Sequence, residues 1–153
     1  MADTSLNENR LALLIWQTSN LWQSKVRQKL KESEITLNEY LILETIYLLQ
    51  QQKINITQKD ICINASIDRS VVSLRVSSLE EKKLISKQQP QDKRSDSLIL
   101  SEAGNNLINN IIDNIVELEN ELFNKLGSEI FNFTNSLKLL LGKKIRIRAK
   151  LND

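Results

Sequence analysis

Between Asp68 and Leu79 the chain reads DRSVVSLRVSSL, and the types and spacing of these residues could do chemistry. Taken as a helix at about 100° per residue, Val72, Val76 and Leu79 form one apolar stripe. Ser70, Leu74 and Ser77 point away from that stripe, with Val71 and Ser73 on the shoulders of the outer face. Arg69 and Arg75 flank the stripe itself. Long Glu and Lys side chains, the usual cover of a solvated helix, come only after Leu79. Short side chains allow close approach of another surface, and no carboxylate is there to repel phosphate. The expected chemistry is hydrogen bonding and apolar contact to base edges by Ser70, Val71, Ser73, Leu74 and Ser77. Arg69 and Arg75 would reach backbone phosphates, joined by Gln58 and Lys59 from the segment just before. The competing reading is a plain solvated polar face.

The elements that must position these residues are legible from their start signals. A first amphipathic helix is expected from about Leu6 to Lys31, carrying Leu11, Leu14, Ile15, Leu21, Trp22, Val26 and Leu30 at helical spacing. Thr36 and Glu39 make a capping box, with Ile35 and Tyr40 at the positions of a hydrophobic staple, so a second helix starts at Thr36 or Leu37. The same signal repeats at Thr57 and Asp60, with Ile56 and Ile61 as the staple, and starts a short helix ending near Asn64. Ser66 or Asp68 then caps the helix of the opening stretch. A short capped helix, a tight turn and a second capped helix make a helix-turn-helix pattern.

After Leu84 the period changes to that of strands. LISKQQPQDKRSDSLIL reads as a hairpin with Pro90 in its turn and the cations Lys93 and Arg94 at its tip. A hairpin directly after a helix-turn-helix is a wing. Ser101 caps a long helix with Leu107, Ile108, Ile111, Ile112, Ile115, Leu118, Leu122 and Phe123 in its stripe. Gly127 and Ser128 interrupt it, and a last helix is expected from about Glu129 to Lys150.

Composition narrows the function classes. In 153 residues there are three glycines and one proline, few breakers, which favours helices over a sandwich or barrel. A net charge of +2 excludes a polycationic coat protein but not a local nucleic-acid site. One cysteine, Cys62, allows no internal disulfide and fits a reducing compartment. The polar start MADTSLNENR has no leader-like pattern, and no apolar run approaches the roughly 20 residues of a bilayer span. The expected location is cytoplasmic. The chain has no histidine, and it shows no phosphate-cradling glycine loop, nucleophile elbow or metal-ligand cluster. No enzyme activity, cofactor or metal is expected.

From Ile54 to Gly104 the sequence resembles the winged helix-turn-helix core of the MarR family of bacterial and archaeal transcription regulators. ITQKDI, DRSVVSLRVSSLEEKKLI and QDKRSDSLILSEAG are similar to its successive motifs, the wing motif with Asp92 and Arg94 around Lys93 being the most specific. The order of elements is similar over nearly the whole chain. The resemblance implies a mainly α fold: a winged helix-turn-helix DNA-binding core over residues 36–101, with long helices in 1–35 and 102–153 forming a dimerisation region. It implies a homodimeric DNA-binding regulator on a pseudo-palindromic operator, a repressor relieved by a small-molecule effector. Double-stranded DNA and a second copy of the chain are its partners. Arg94 would be the minor-groove arginine, a contact that favours narrow A·T-rich grooves. A winged helix used only for protein interaction is the alternative.

Two departures from the family matter. Many members carry arginine where this chain has Leu74 and leucine where it has Arg75. Leucine cannot make the bidentate guanine contact, but it can pack on thymine methyls, so an A·T-rich site is expected at that position. Lys83 stands where the family often has glycine, and since lysine resists positive φ the helix end is expected to differ there.

Four further constellations carry two readings each. The basic GKKIRIRAK stretch (Gly142 to Lys150) complements a helix dipole or adds a phosphate contact. Trp16, Trp22, Phe123, Phe131 and Phe133 exceed what a small core needs and suggest intersubunit burial, with monomer core as the other reading. Trp16, Tyr40 and Tyr47 either line the crevice for an aromatic effector that the resemblance implies or belong to the core. Cys62 lies between Ile61 and Ile63, which favours an inert thiol over a redox sensor, although Lys59 is one turn away.

Overall fold

The computed structural model describes residues 9–88 and 97–146. By packing, the chain divides after Val116 into two units.

The first unit opens with α1 (Leu11–Leu30). It begins later than its apolar period suggested, because Arg10 sits in extended backbone and offers no side-chain cap. Only Val26 and Leu30, near its C-terminal end, are fully buried. A single 3₁₀ turn (Lys31–Ser33) and Glu34, at φ 55°, lead into α2 (Leu37–Leu49). The Thr36 box forms as expected: Thr36 Oγ1 accepts from the Glu39 N–H at 3.2 Å, and Glu39 Oε1 accepts from the Thr36 N–H at 3.0 Å. Ile35 and Tyr40, the expected staple pair, are both buried.

α3 (Gln58–Ala65) starts on the second box, with Thr57 Oγ1 accepting from the Asp60 N–H at 3.2 Å. Asp60 Oδ2 accepts in return from the Thr57 N–H at 2.9 Å, and from Lys53 Nζ at 2.9 Å. α4 (Arg69–Glu81) follows. Its buried stripe is Val72, Val76 and Leu79, as the periodicity required. The two cap candidates separate here. Ser66 closes α3 in the left-handed region (φ 52°, ψ 44°), while Asp68 holds the N-cap position of α4 without a side-chain cap bond.

β1 (Ile85–Gln88) and β2 (Ser97–Leu100) pair antiparallel, with Ile85 opposite Leu100 and Gln88 opposite Ser97. The Leu98 N–H donates to the Ile56 carbonyl at 2.7 Å, which fastens the hairpin to the start of the helix-turn-helix. The hairpin tip, with Lys93 and Arg94, lies outside the described residues. α5 (Glu102–Phe123) starts on Ser101, whose Oγ accepts from the Gly104 N–H at 3.0 Å and donates to the Lys83 carbonyl at 2.7 Å.

Lys83 reaches the left-handed region after all, at φ 59°. The Leu84 N–H donates to the Leu79 carbonyl at 3.0 Å and the Lys83 N–H to the Glu80 carbonyl at 2.9 Å. These are the two bonds of a Schellman end. The helix therefore stops in the glycine-type geometry despite its lysine, because these bonds and Ser101 over-determine the turn.

In the second unit α5 gives way at Asn124 to a 3₁₀ stretch (Asn124–Glu129), with Gly127 at φ 55° and ψ −127°. α6 (Ile130–Leu140) is shorter than expected. Gly142, at φ 70°, ends it in a second Schellman turn: the Lys143 N–H donates to the Lys138 carbonyl at 2.8 Å. Asn135 then holds the strand-like return, its Nδ2 donating to the Arg146 carbonyl at 2.7 Å and its Oδ1 accepting from the Arg146 N–H at 3.1 Å. Lys143, Lys144 and Arg146 therefore lie beyond the helix and do not extend it toward Lys150.

Candidate nucleic-acid interface

The outer face of α4 is open. Arg69, Ser70, Ser73 and Ser77 are exposed, and Leu74 is 63% exposed, an unusual setting for a leucine with no apolar cover. Val71 is half-buried on the shoulder where the helical wheel put it. The Ser77 hydroxyl donates to the Ser73 carbonyl at 3.2 Å, which leaves its oxygen lone pairs free to accept. In the preceding helix Lys59 is exposed and Gln58 half-buried, both in the first turn.

Arg75 is half-buried beside the apolar stripe it flanks, and its Nε is buried without a hydrogen-bond partner among the described residues. The wing cations Lys93 and Arg94 fall in the undescribed tip.

Sequence reasoning missed what holds α4 in place. Glu39, read only as a cap, is fully buried. Its Oε1 accepts from Nζ of Lys82, the C-cap residue of α4, at 3.0 Å, and its Oε2 from the hydroxyl of Ser78 on α4 at 3.0 Å. Burial pushes its carboxyl up, but the bonds from Thr36, Lys82 and Ser78 and the lysine charge outweigh this, and the group stays below the ordinary glutamate range. Asp60 shows the same balance: burial raises it, while Thr57 and Lys53 bring it below the ordinary aspartate value. A further pair, Lys87–Glu80 at 3.2 Å, ties β1 to the end of α4. Gly104 is the other omission. A Cβ there would collide with the Leu84 carbonyl oxygen, so α5 crosses the helix–strand junction at a distance only glycine permits. The capping box names Glu39 as polar and local; nothing within four residues reports that α4 covers it.

The other candidates settle into the fold. Tyr40 is core, 1% exposed, whereas Tyr47 is half-buried and Trp16 is 62% exposed. Cys62 is a half-buried free thiol. Among the described residues no group of three or more Cys, Asp or Glu is placed to hold a metal ion, and no helix is long and apolar enough to cross a membrane.

Comparison with known proteins agrees with this geometry. The pattern that defines the MarR family matches residues 35–95. YdcH of Bacillus subtilis (strain 168), an uncharacterized HTH-type transcriptional regulator, is 31% identical over 96 residues. That match spans 62% of this chain and 65% of the relative's length. The solved structure of S. aureus MepR in complex with DNA superposes with a TM-score of 0.79 at 26% identity, over 89% of this chain and 97% of that one. A MarR-family transcriptional regulator from Rhodococcus sp. RHA1, 15% identical, shares the fold at a TM-score of 0.77 over 91% of this chain and 97% of its own. With the two capped helices, the wing and the exposed face of α4, these matches show that the chain carries the MarR pattern over residues 35–95 and shares the winged helix-turn-helix fold of the MarR-family regulators it superposes on.

Proposed function

We propose that the chain is a sequence-specific DNA-binding transcription regulator that acts as a homodimer on a pseudo-palindromic operator, and that it represses. The observation that carries this reading is the open, short-chained face of α4 on a fold shared with a regulator solved on DNA. α4 enters the major groove, where Ser70, Ser73, Leu74 and Ser77 meet base edges and Arg69 and Lys59 meet phosphates. Leu74 packs on thymine methyls. The wing, through Lys93 and Arg94, reaches the adjacent minor groove.

The exposed apolar side chains of α1 and α6 support the dimer. Leu11, Ile15 and Trp16 on α1 and Leu139, Leu140 and Leu141 beside them in composition are at least half exposed in the single chain. Two reading helices must stand about one helical turn of DNA apart, so an aromatic effector that alters their separation would relieve repression. Trp16 and Tyr47 remain available to such a ligand.

Selection of duplexes from a random DNA pool tests the reading. The expected result is an enriched inverted repeat with A·T pairs opposite Leu74. A second reading, a protein-interaction module, draws on the exposure of Leu74. Salt separates them: DNA affinity falls steeply as salt rises, and an apolar protein contact is nearly insensitive.

A further inference from the structure

Lys82 and Ser78 lie 43 and 39 residues from Glu39, yet they make two of the three bonds to its carboxylate, the third being the local one from the Thr36 N–H. Ser78 and Lys82 are four apart and therefore neighbours on one face. Lys82 Nζ lies 2.8 Å from the Glu34 carbonyl as well, so its ammonium is held between the turn before α2 and the carboxylate at its first turn. Glu80 adds the bond to Lys87 on β1. These ties lie in the last turn of α4 and on Lys82, the residue that caps it. At its first turn Asp68 makes no side-chain cap bond, and Arg69 and Ser70 are exposed.

We propose that the junction of the buried Glu39 carboxylate with Ser78 and Lys82 positions the reading helix, with Glu39 acting through α4 to set how Ser70 to Ser77 stand in the major groove. This rests on the DNA-binding reading above. A buried ion pair adds little net stability over an apolar pair of the same shape, whereas its hydrogen bonds have direction. Two directed bonds to one carboxylate, from Ser78 and from Lys82, constrain the rotation and the height of the end of α4, while the third, from the Thr36 N–H, anchors that carboxylate to the start of α2. Base-edge contacts from short serines tolerate little displacement, and phosphate contacts from long arginine and lysine arms tolerate much more. A misplaced helix thus loses specificity before it loses affinity for DNA in general.

Glu39→Gln keeps the size and removes the charge that Lys82 needs. Binding to the enriched operator should fall about tenfold, the size of one lost base contact. Binding to random duplex, and its salt slope, should change less than about twofold, since the phosphate contacts are untouched. In the free protein, amide hydrogen exchange should speed up over Val76 to Lys82 and stay unchanged at Val26 and Ile108. Lys82→Met, which strands the carboxylate, should be worse than the double variant Glu39→Gln with Lys82→Met. Ser78→Ala removes one bond only and should show the same pattern more weakly, which covers the case that Glu39→Gln does not fold. Operator binding and α4 exchange at wild-type levels overturn the proposal, as does a parallel fall in specific and random binding. A wild-type chain that enriches no duplex overturns the DNA reading and the specificity claim together, while the exchange measurement still decides whether Glu39 holds α4.

Discussion

The helix-turn-helix core and the last helix contain similar kinds of apolar residue and place them in opposite ways. From Ile35 to Leu100 the large aliphatic side chains at element contacts are sealed: Ile42, Leu43, Ile46, Ile61, Val72, Val76 and Leu79 are all 0% exposed. Among the described residues after Val116 no side chain is buried at all, and Leu139, Leu140 and Leu141 are 68%, 74% and 66% exposed. The N-terminal half of α1 resembles the latter, with Leu11 75% and Trp16 62% exposed. The difference teaches that one region completes its hydrophobic core within a single chain and the other does not. Burial of apolar area is the main favourable term in folding and association, so in the proposed homodimer the incomplete region is where a second copy would add most.

The largest expected effect tests the completed side. Leu79→Ala opens a cavity in a sealed site and should lower the unfolding free energy by about 2–5 kcal/mol in denaturant titration. Leu140→Ser should leave that core within about 0.5 kcal/mol when measured on the monomer. Equal losses in the two variants would break the comparison. Gly104→Ala comes next. The new methyl meets a backbone oxygen that cannot turn aside, and a cost of about 1–3 kcal/mol is expected by the same titration.

On the incomplete side, Trp16→Ser combined with Leu140→Ser should weaken self-association at least about tenfold in sedimentation equilibrium, with an unchanged helical far-UV spectrum. Unaltered association would show that these exposed residues serve no dimer. Acid sharpens the contrast further. Glu39 and Asp60 both sit below their ordinary values when folded, so their contribution to stability is complete above the unfolded carboxylate range, about 3.9–4.3. It is lost as pH falls through the lower folded values. Acid unfolding of the core should therefore steepen below about pH 4, and Glu39→Gln should flatten it. The smallest effect belongs to Lys83→Gly. Relief of the left-handed lysine, partly offset by the freer unfolded chain, should raise stability by about 0.5 kcal/mol.

Much of the site was legible because its signals are short. Thr36 with Glu39 and Thr57 with Asp60 speak across three residues, and Val72, Val76 and Leu79 across one helix face. Ser101 was readable as a cap for the same reason. Where the reading failed, a local signal met a distant partner. Glu39 reads as a local cap, yet Ser78 and Lys82, 39 and 43 residues on, complete the bonds of its carboxylate. The last helix was extended through Gly142 because the apolar period continues to Ile145, while the Schellman bonds and Asn135 turn the chain back.

The sequence by itself determined the order of helices and hairpin, their starts, the buried stripe of α4 and the short polar face opposite it. These depend on contacts within a turn or two, which composition and spacing express directly. Only the tertiary structure decided that Glu39 is a buried carboxylate locked to Ser78 and Lys82, that Gly104 must lack a side chain, and which apolar faces stay uncovered. Each of those depends on which surface meets which across dozens of residues, and close packing, not local periodicity, selects that meeting.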